Sequence, residues 1–354
     1  TAAPVARRDT GFGRRGGRAG ALIRISVVHR GAVDRARVHS GRSAVGRRGR
    51  SGHRRPVPAR PTPLPPELAD RAFTLAEGLD AGVGIGRMRG SDLFRPTAGV
   101  RSASPCPDLR SLAAATALGL PRGTAFSHAT AALLLGLPVP WAVARAPGPL
   151  DVMRETDAAP IRRRGCRFHR GLERRRVIEV GGLLVTSPID TWLDLAVCWG
   201  RTDLVVLGDA IVAAGWASPQ ALRASAEAGR GRRGIRTARA AGDLVRVGSA
   251  SPQESRCRCL FVDEGLPEPR LNVELRDPYG FHVATVDFLW RESKVVGEYD
   301  GDQHRTDRRA WRYDRARRAR IEDLGWTYVE MDGDSLRPGS VQDALLARLR
   351  RLLL

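Results

Sequence analysis

Lysine is almost absent from this chain. Lys294 is the single lysine among 59 basic residues, in 354 residues overall. With alanine and glycine abundant, so complete a preference for arginine reads as the codon usage of a GC-rich genome. The net charge of +21 is therefore only partly a statement about polyanion binding. Cysteine is scarce too. Cys106, Cys166, Cys198, Cys257 and Cys259 are odd in number and irregular in spacing, which argues against a disulfide framework. The Cys257-x-Cys259 pair has no second cysteine pair and no nearby histidine, so it does not read as a zinc site. No apolar run approaches the ~20 residues of a membrane span, and no basic-then-apolar leader with a small-residue cleavage site is present. These absences point to a reducing cytoplasm and away from a membrane partner.

What remains is unevenly distributed. Residues 1–60 hold sixteen arginines against two aspartates, a local excess of fourteen that leaves only seven of the net charges for the rest. A chain of this balance points to a polyanionic partner, nucleic acid before a membrane. Residues 1–66 are rich in Arg, Gly and Pro and poor in large apolar groups, so they read as a disordered basic tail. The first methionine is Met88. The tail is either a start site assigned too early or a basic arm tethering the protein to DNA.

Beyond the tail the fold class reads as α/β in three parts. Residues 67–102 carry a helix at 72–78, a Gly-rich turn at 82–86, a second helix at 87–94 and a wing strand at 95–101, the outline of a winged helix-turn-helix. Residues 103–246 read as a mixed α/β region. Helices are expected at 113–119 and 127–134, strands flank Gly181-Gly182, and a helix capped by Ser187 with Pro188 at its first position is followed by another at 204–214. The arginine cluster from Gly229 to Arg239 reads as a linker or a basic surface helix, and His128 and His169 as structural or surface residues. Residues 247–354 give the order α-β-β-β-α-β-α. Ser251-Pro252-Gln253-Glu254 starts a helix running to Glu264. Strands follow at 269–276, 281–290 and 294–300, then a helix at 306–323, a strand at 326–331 and a helix from 340.

The chemistry concentrates on the second and third of these strands. If Arg291-Glu292-Ser293 is the hairpin connection and Trp290 pairs with Val295, Asp287 lies opposite Glu298 and Thr285 opposite Asp300. Val286, Phe288 and Trp290 then share the other face with Val295, Gly297 and Tyr299, an arrangement that a one-residue slip would undo. Facing carboxylates repel unless a cation lies between them. Oxygen-only ligands suit magnesium, which binds through one or two carboxylates plus substrate phosphates. The pattern reads as a phosphodiesterase metal site.

Asp287, a ten-residue gap and Glu298-x-Asp300, followed by Gly301-x-x-His304, Asp314-x-x-Arg317 and Leu324-Gly325-Trp326, resemble the PD-(D/E)xK endonuclease signature. The match is specifically to the domain of unknown function 559 family, related to very-short-patch-repair endonucleases, over about 100 residues from Ser251 onward. The upstream region, with its Ser187-Pro-x-x-Thr191 element, resembles abortive-infection antitoxin-like winged-helix regions of actinobacterial type. The resemblance implies a restriction-endonuclease-like fold in which Asp287 and Glu298 ligate magnesium, with manganese as an alternative. Glu254 matches the helix-borne acid that completes such sites, and His304 could serve as acid or base. Asp300 stands where the signature has lysine, so it would bind metal or orient water rather than supply a cation. Arg305, Arg308, Arg312, Arg315 and Arg318 follow on the next helix, either as a DNA backbone clamp or as a solvated face. The implied activity is hydrolysis of DNA phosphodiesters. The alternatives are an antitoxin-type DNA-binding regulator with a degenerate nuclease fold, or a nuclease acting on RNA or structured DNA.

Overall fold

The computed structural model describes residues 61–301 and the chain from 308 onward, with side chains of the latter described from 315. Residues 1–60, and with them most of the expected tail, lie outside the described residues. The expected tail boundary at 66 moves inward, because Leu64 already packs against the small core of Leu68, Phe73, Val83 and Met88.

That core belongs to α1 (Pro66–Ala69), β1 (Phe73–Thr74), α2 (Leu75–Asp80), α3 (Ile85–Met88) and β2 (Val100–Arg101). Thr74 starts α2 with a full capping box to Glu77, and β1 pairs antiparallel with β2. The segment is leaner than the sequence predicts. The first helix begins three residues late because Phe73 and Thr74 are strand. The second is a single turn that stops at Met88 rather than running to Phe94. Gly90 follows, and Arg87 clasps Asp92 with two bonds of 3.0 and 2.8 Å that fold the chain back. Only Val100 and Arg101 of the expected wing are strand.

The middle part comprises α4 (Leu109–Ala117), β3 (Ala125–Phe126), α5 (His128–Leu134), α6 (Trp141–Arg145), β4 (Leu150–Arg154), β5 (Cys166–Arg170), β6 (Val177–Val180), β7 (Leu183–Thr186), α7 (Pro188–Leu195), α8 (Arg201–Ala213), α9 (Pro219–Ala228) and α10 (Ile235–Gly242). Its five strands are ordered β5-β4-β3-β7-β6. The helices α7 to α10 pack around the fully buried Trp192, whose indole N–H donates to the Leu204 carbonyl at 2.8 Å. The arginine cluster at 229–239 runs into α10, where Arg236 is exposed as on a basic surface helix, while other members turn inward. Arg232 donates to the buried Asp194, and Gly234 at φ +74° packs against the Ala196 carbonyl, too close for any Cβ.

The remaining elements are α11 (Pro252–Asp263), β8 (Arg270–Arg276), β9 (His282–Trp290), β10 (Val295–Tyr299), α12 (Arg308–Asp323), β11 (Thr327–Met331) and α13 (Ser340–Leu353), in the order expected. The sheet runs β11-β10-β9-β8, antiparallel except for the parallel β10–β11 pair. Phe261, Phe288, Trp290, Val295 and Met331 form the core on one face, and Val286, Leu289, Val296 and Ile321 that on the other. The two thiols of the C-x-C pair are buried in different cores, Cys257 with Phe261 and Cys259 with Trp192, so no metal site joins them.

Gly297 is packed so tightly that an added Cβ would meet the Met331 methyl at 2.8 Å and the Phe288 and Trp290 rings at 3.3 Å. Gly297→Ala should cost about 1–3 kcal/mol through overpacking, read as a lowered urea midpoint with an unchanged m-value. A midpoint equal to wild type would show that the core around β10 is looser than this packing implies.

Candidate active site

The site is assembled where two strands lose their alternation. In β8, Leu271 packs into one core and Val273 into the other, although both are odd-numbered, because Asn272 between them adopts a left-handed φ of +46°. The partner strand β9 breaks at the same level: Leu271 pairs with Phe288 and Val273 with Val286, and those two residues also face different cores. The expectation that Val286, Phe288 and Trp290 share one face is thus corrected. A pleat is interrupted at the Asn272–Asp287 level, and the interruption frees Asp287 from the regular ladder.

The expected hairpin register holds from Trp290 to Phe288, while the expected pairings of Asp287 with Glu298 and of Thr285 with Asp300 lie beyond the ladder. Val295 pairs with Trp290, Val296 with Leu289 and Gly297 with Phe288, so Asp287 and Glu298 come next in line. There the ladder gives way, and the Tyr299 N–H donates instead to the Asp287 carboxylate at 2.8 Å. Glu298, on the α12 side of β10, is gripped through Oε2 by the Arg317 guanidinium from α12 and by the Tyr328 hydroxyl from β11 at 2.8 Å. Its other oxygen, Oε1, is buried with no hydrogen-bond partner. A buried carboxylate oxygen left unpaired is costly, and natural structures keep such atoms for a reason.

Glu254 approaches from the helix side. Ser251 caps α11 by accepting from the Glu254 N–H at 3.2 Å, which fixes Glu254 at the third helical position. The carboxylate then accepts from the Ala250 N–H at 2.9 Å and the Asn272 amide at 2.7 Å. Burial pushes the Asp287 carboxyl up to about 6; the Tyr299 N–H opposes this, while Glu254 and Glu298 add to it. The Tyr328 phenol is likewise raised by burial and by Glu298. For Arg317 burial works toward a lower pKa, but the Glu298 contact outweighs it and the guanidinium is held more firmly charged.

A cleft of about 830 Å³ opens over these groups, lined by Asp287, Glu298, Asp300, Tyr328 and, from α12, Arg315, Arg317 and Arg318. Asp300 lies just past β10, exposed, with its N–H donating to the Met331 carbonyl at 2.8 Å. Of the expected clamp, Arg315 and Arg318 reach the cleft. Arg318 also bonds Glu322 at 2.9 Å and lies 4.8 Å over the Tyr328 ring, so it is partly a surface-network residue. Arg308 and Arg312 fall on α12 but their side chains lie outside the described residues, as do His304 and Arg305 altogether. Among the described residues no three His, Cys, Asp or Glu side chains converge closely enough to hold a metal among them. Glu254 is turned to its own hydrogen-bond partners.

A stretch of 180 residues, half of the chain, is 29% identical to two uncharacterized proteins from two strains of Mycobacterium tuberculosis. The match covers 65% of each relative, so the chain spans less than two thirds of their length. No protein-family model and no solved structure matches the chain. Among the described residues no helix is long and apolar enough to cross a membrane.

The residues present fit a hard divalent cation. Asp287 and the unpartnered Oε1 of Glu298 are two oxygen donors on adjacent strands, and magnesium needs few protein ligands because it keeps several waters. Two contributors were not assigned from sequence. Arg317 places a guanidinium against Glu298, and the Tyr328 hydroxyl donates to the same carboxylate oxygen. Arg317 does stand in the Asp314-x-x-Arg317 spacing. Tyr328 could be found only by knowing that β11 runs parallel to β10, with Glu298 aligned to Glu330.

Proposed function

We propose that residues 247–354 form a magnesium-dependent endonuclease domain hydrolysing DNA phosphodiester bonds, of the restriction-endonuclease-like type found in the domain of unknown function 559 family, and that the upstream region targets or regulates it. The single observation that carries this reading is the juxtaposition of Asp287 with the buried, unpartnered Oε1 of Glu298 beneath an arginine-lined cleft. Asp287 and Glu298 would hold the metal. Bound there, magnesium supplies a lowered pKa for its water and charge stabilisation for the scissile phosphate. Arg317 neutralises the second oxygen of Glu298 and keeps a fixed positive charge beside the phosphate path. Asp300, at the cleft edge, can accept a hydrogen bond from the attacking water, and Arg315 and Arg318 can engage flanking phosphates.

The full-length protein incubated with supercoiled, linear and single-stranded DNA, in magnesium or EDTA, tests this. Cleavage should require the metal and fall by ~100-fold or more in Glu298→Ala, the scale of losing one charge-organising group. Preference for an RNA strand over DNA would reassign the substrate while keeping the chemistry. One observation favours a second reading, an antitoxin-type DNA-binding regulator whose nuclease fold is catalytically degenerate. Aspartate stands where the signature has lysine, and Arg317 already occupies one oxygen of Glu298. Tight metal-independent DNA binding with no cleavage of any substrate would select it.

A further inference from the structure

The middle part of the chain holds a larger cavity, about 920 Å³, none of whose lining belongs to the Asp287–Glu298 site. Its floor is built around two buried carboxylates. Asp151 on β4 contacts His169 Nε2 at 2.9 Å and Arg167 at 3.3 Å. Asp194 on α7 accepts from Arg175 through two guanidinium nitrogens at 3.1 and 2.7 Å, and from Arg232 at 2.5 Å. Each carboxylate is 3% or less exposed, and Arg175 and Arg232 are held against Asp194 largely out of solvent, whereas Arg167 stays exposed. A third lining carboxylate, Asp203, is taken by Arg256 at 2.6 Å. At the rim, Arg170 and Arg233 have no acidic partner among the described residues. The lining therefore carries surplus positive charge, which suits an anion with several acceptor oxygens.

The lining also includes apolar residues, Leu133, Val143, Pro147 and Trp199 among them. Two histidines of the lining form an unusual pair. His128 stacks on His169 with ring centroids 3.7 Å apart and planes 18° from parallel, although neither was expected to serve a site. His128 occupies the left-handed region at φ +49°, a conformation that costs energy for a residue with a Cβ and recurs at ligand sites. Burial, and secondarily His169, push its imidazole down to about 4, so at neutral pH it presents an uncharged flat ring.

We propose that this cavity binds a mononucleotide, its phosphate taken by the arginines of the rim and floor and its base lying along the apolar residues beside the imidazole pair. The volume falls within the ~300–1,000 Å³ of small-ligand pockets.

Calorimetry on the full-length protein in EDTA at 0.15 M salt tests this with adenosine and guanosine monophosphates, adenosine, and inorganic phosphate. At least one monophosphate should bind, with the nucleoside and inorganic phosphate each at least ~10-fold weaker. Arg170→Ala/Arg233→Ala, which removes two rim charges without touching the buried carboxylates, should weaken monophosphate binding by ~10-fold or more, since charge-assisted contacts to the phosphate are lost. Asp287→Asn should leave it unchanged, separating this site from the proposed nuclease centre. No monophosphate binding by wild type at millimolar concentration would overturn the proposal. So would inorganic phosphate binding as well as the nucleotides, or equal binding by the rim double variant, which would place binding elsewhere on this basic chain.

Discussion

Asp287→Asn is expected to stabilise the metal-free protein at pH 8 while abolishing its response to magnesium. The folded state raises this carboxyl from its ordinary 3.8 to about 6, through burial first and through Glu254 and Glu298 beside it. A carboxyl whose folded pKa lies above its unfolded value costs stability as it ionises. The cost is absent below about pH 4, grows as pH rises toward 6 and is complete above that. Two units at ~1.4 kcal/mol each bound the effect at about 3 kcal/mol, and relaxation should reduce it to roughly 1–2 kcal/mol. The amide can still accept the Tyr299 N–H that now bonds Asp287, so the contact survives while the charge is lost. Thermal unfolding at pH 8 should therefore show a melting temperature a few degrees above wild type, a difference that vanishes at pH 4. Added magnesium should reverse the order, because binding to the native state stabilises wild type alone. A variant destabilised equally at both pH values, or one still stabilised by magnesium, would remove Asp287 from the proposed metal site. Stability gained at the expense of function is what a group strained into an active site should show.

The sequence was most legible where local rules suffice. Ser251-Pro252 placed the start of α11 because a capping side chain and an N1 proline act within one turn. The Trp290–Val295 pairing followed from alternation on either side of a polar hairpin connection. What escaped depends on tertiary structure. The interruption at Asn272 and Asp287 requires two cores on opposite faces of one sheet and a left-handed asparagine, which no period-2 pattern announces. Arg317 is one of many arginines on α12, and only the parallel placement of β11 shows which of them meets Glu298 and Tyr328. His128 and His169 are 41 positions apart and meet only in the tertiary fold, His128 opening α5 just after β3 and His169 lying on β5. The short α3 failed as a predicted helix because Gly90 and the Arg87–Asp92 clasp outweigh a weak propensity.

The second large effect concerns the junction near residue 247, where the sequence suggests a domain boundary. Arg258 on α11 is fully buried and pairs with Asp209 on α8 at 2.7 Å. Its guanidinium also donates to the Leu244 carbonyl at 2.6 Å and contacts Glu268 at 3.2 Å. Asp209 further accepts from the Arg246 N–H at 2.8 Å and from the Ser255 hydroxyl at 2.7 Å. The network thus ties α8 of the middle part to the helix that carries Glu254, one residue from Ser255. Burial raises the Asp209 carboxyl, and Arg258 is what chiefly opposes that rise. Arg258→Met should cost about 3–5 kcal/mol, because it strands a buried charge rather than merely deleting an attraction. Asp209→Asn should be similarly harmful, leaving the guanidinium uncompensated. The double variant should cost much less than the sum of the two, since neither ion is then left alone. Urea unfolding followed by tryptophan fluorescence and by circular dichroism measures all three. The two probes should coincide in wild type, as the shared network requires the middle and C-terminal parts to unfold together. Separate transitions, or additive losses in the double variant, would make the junction a simple contact between independent domains. A single coupled transition would instead mean that Glu254 is positioned from α8, so that variants near Asp209 weaken the proposed metal site without touching it.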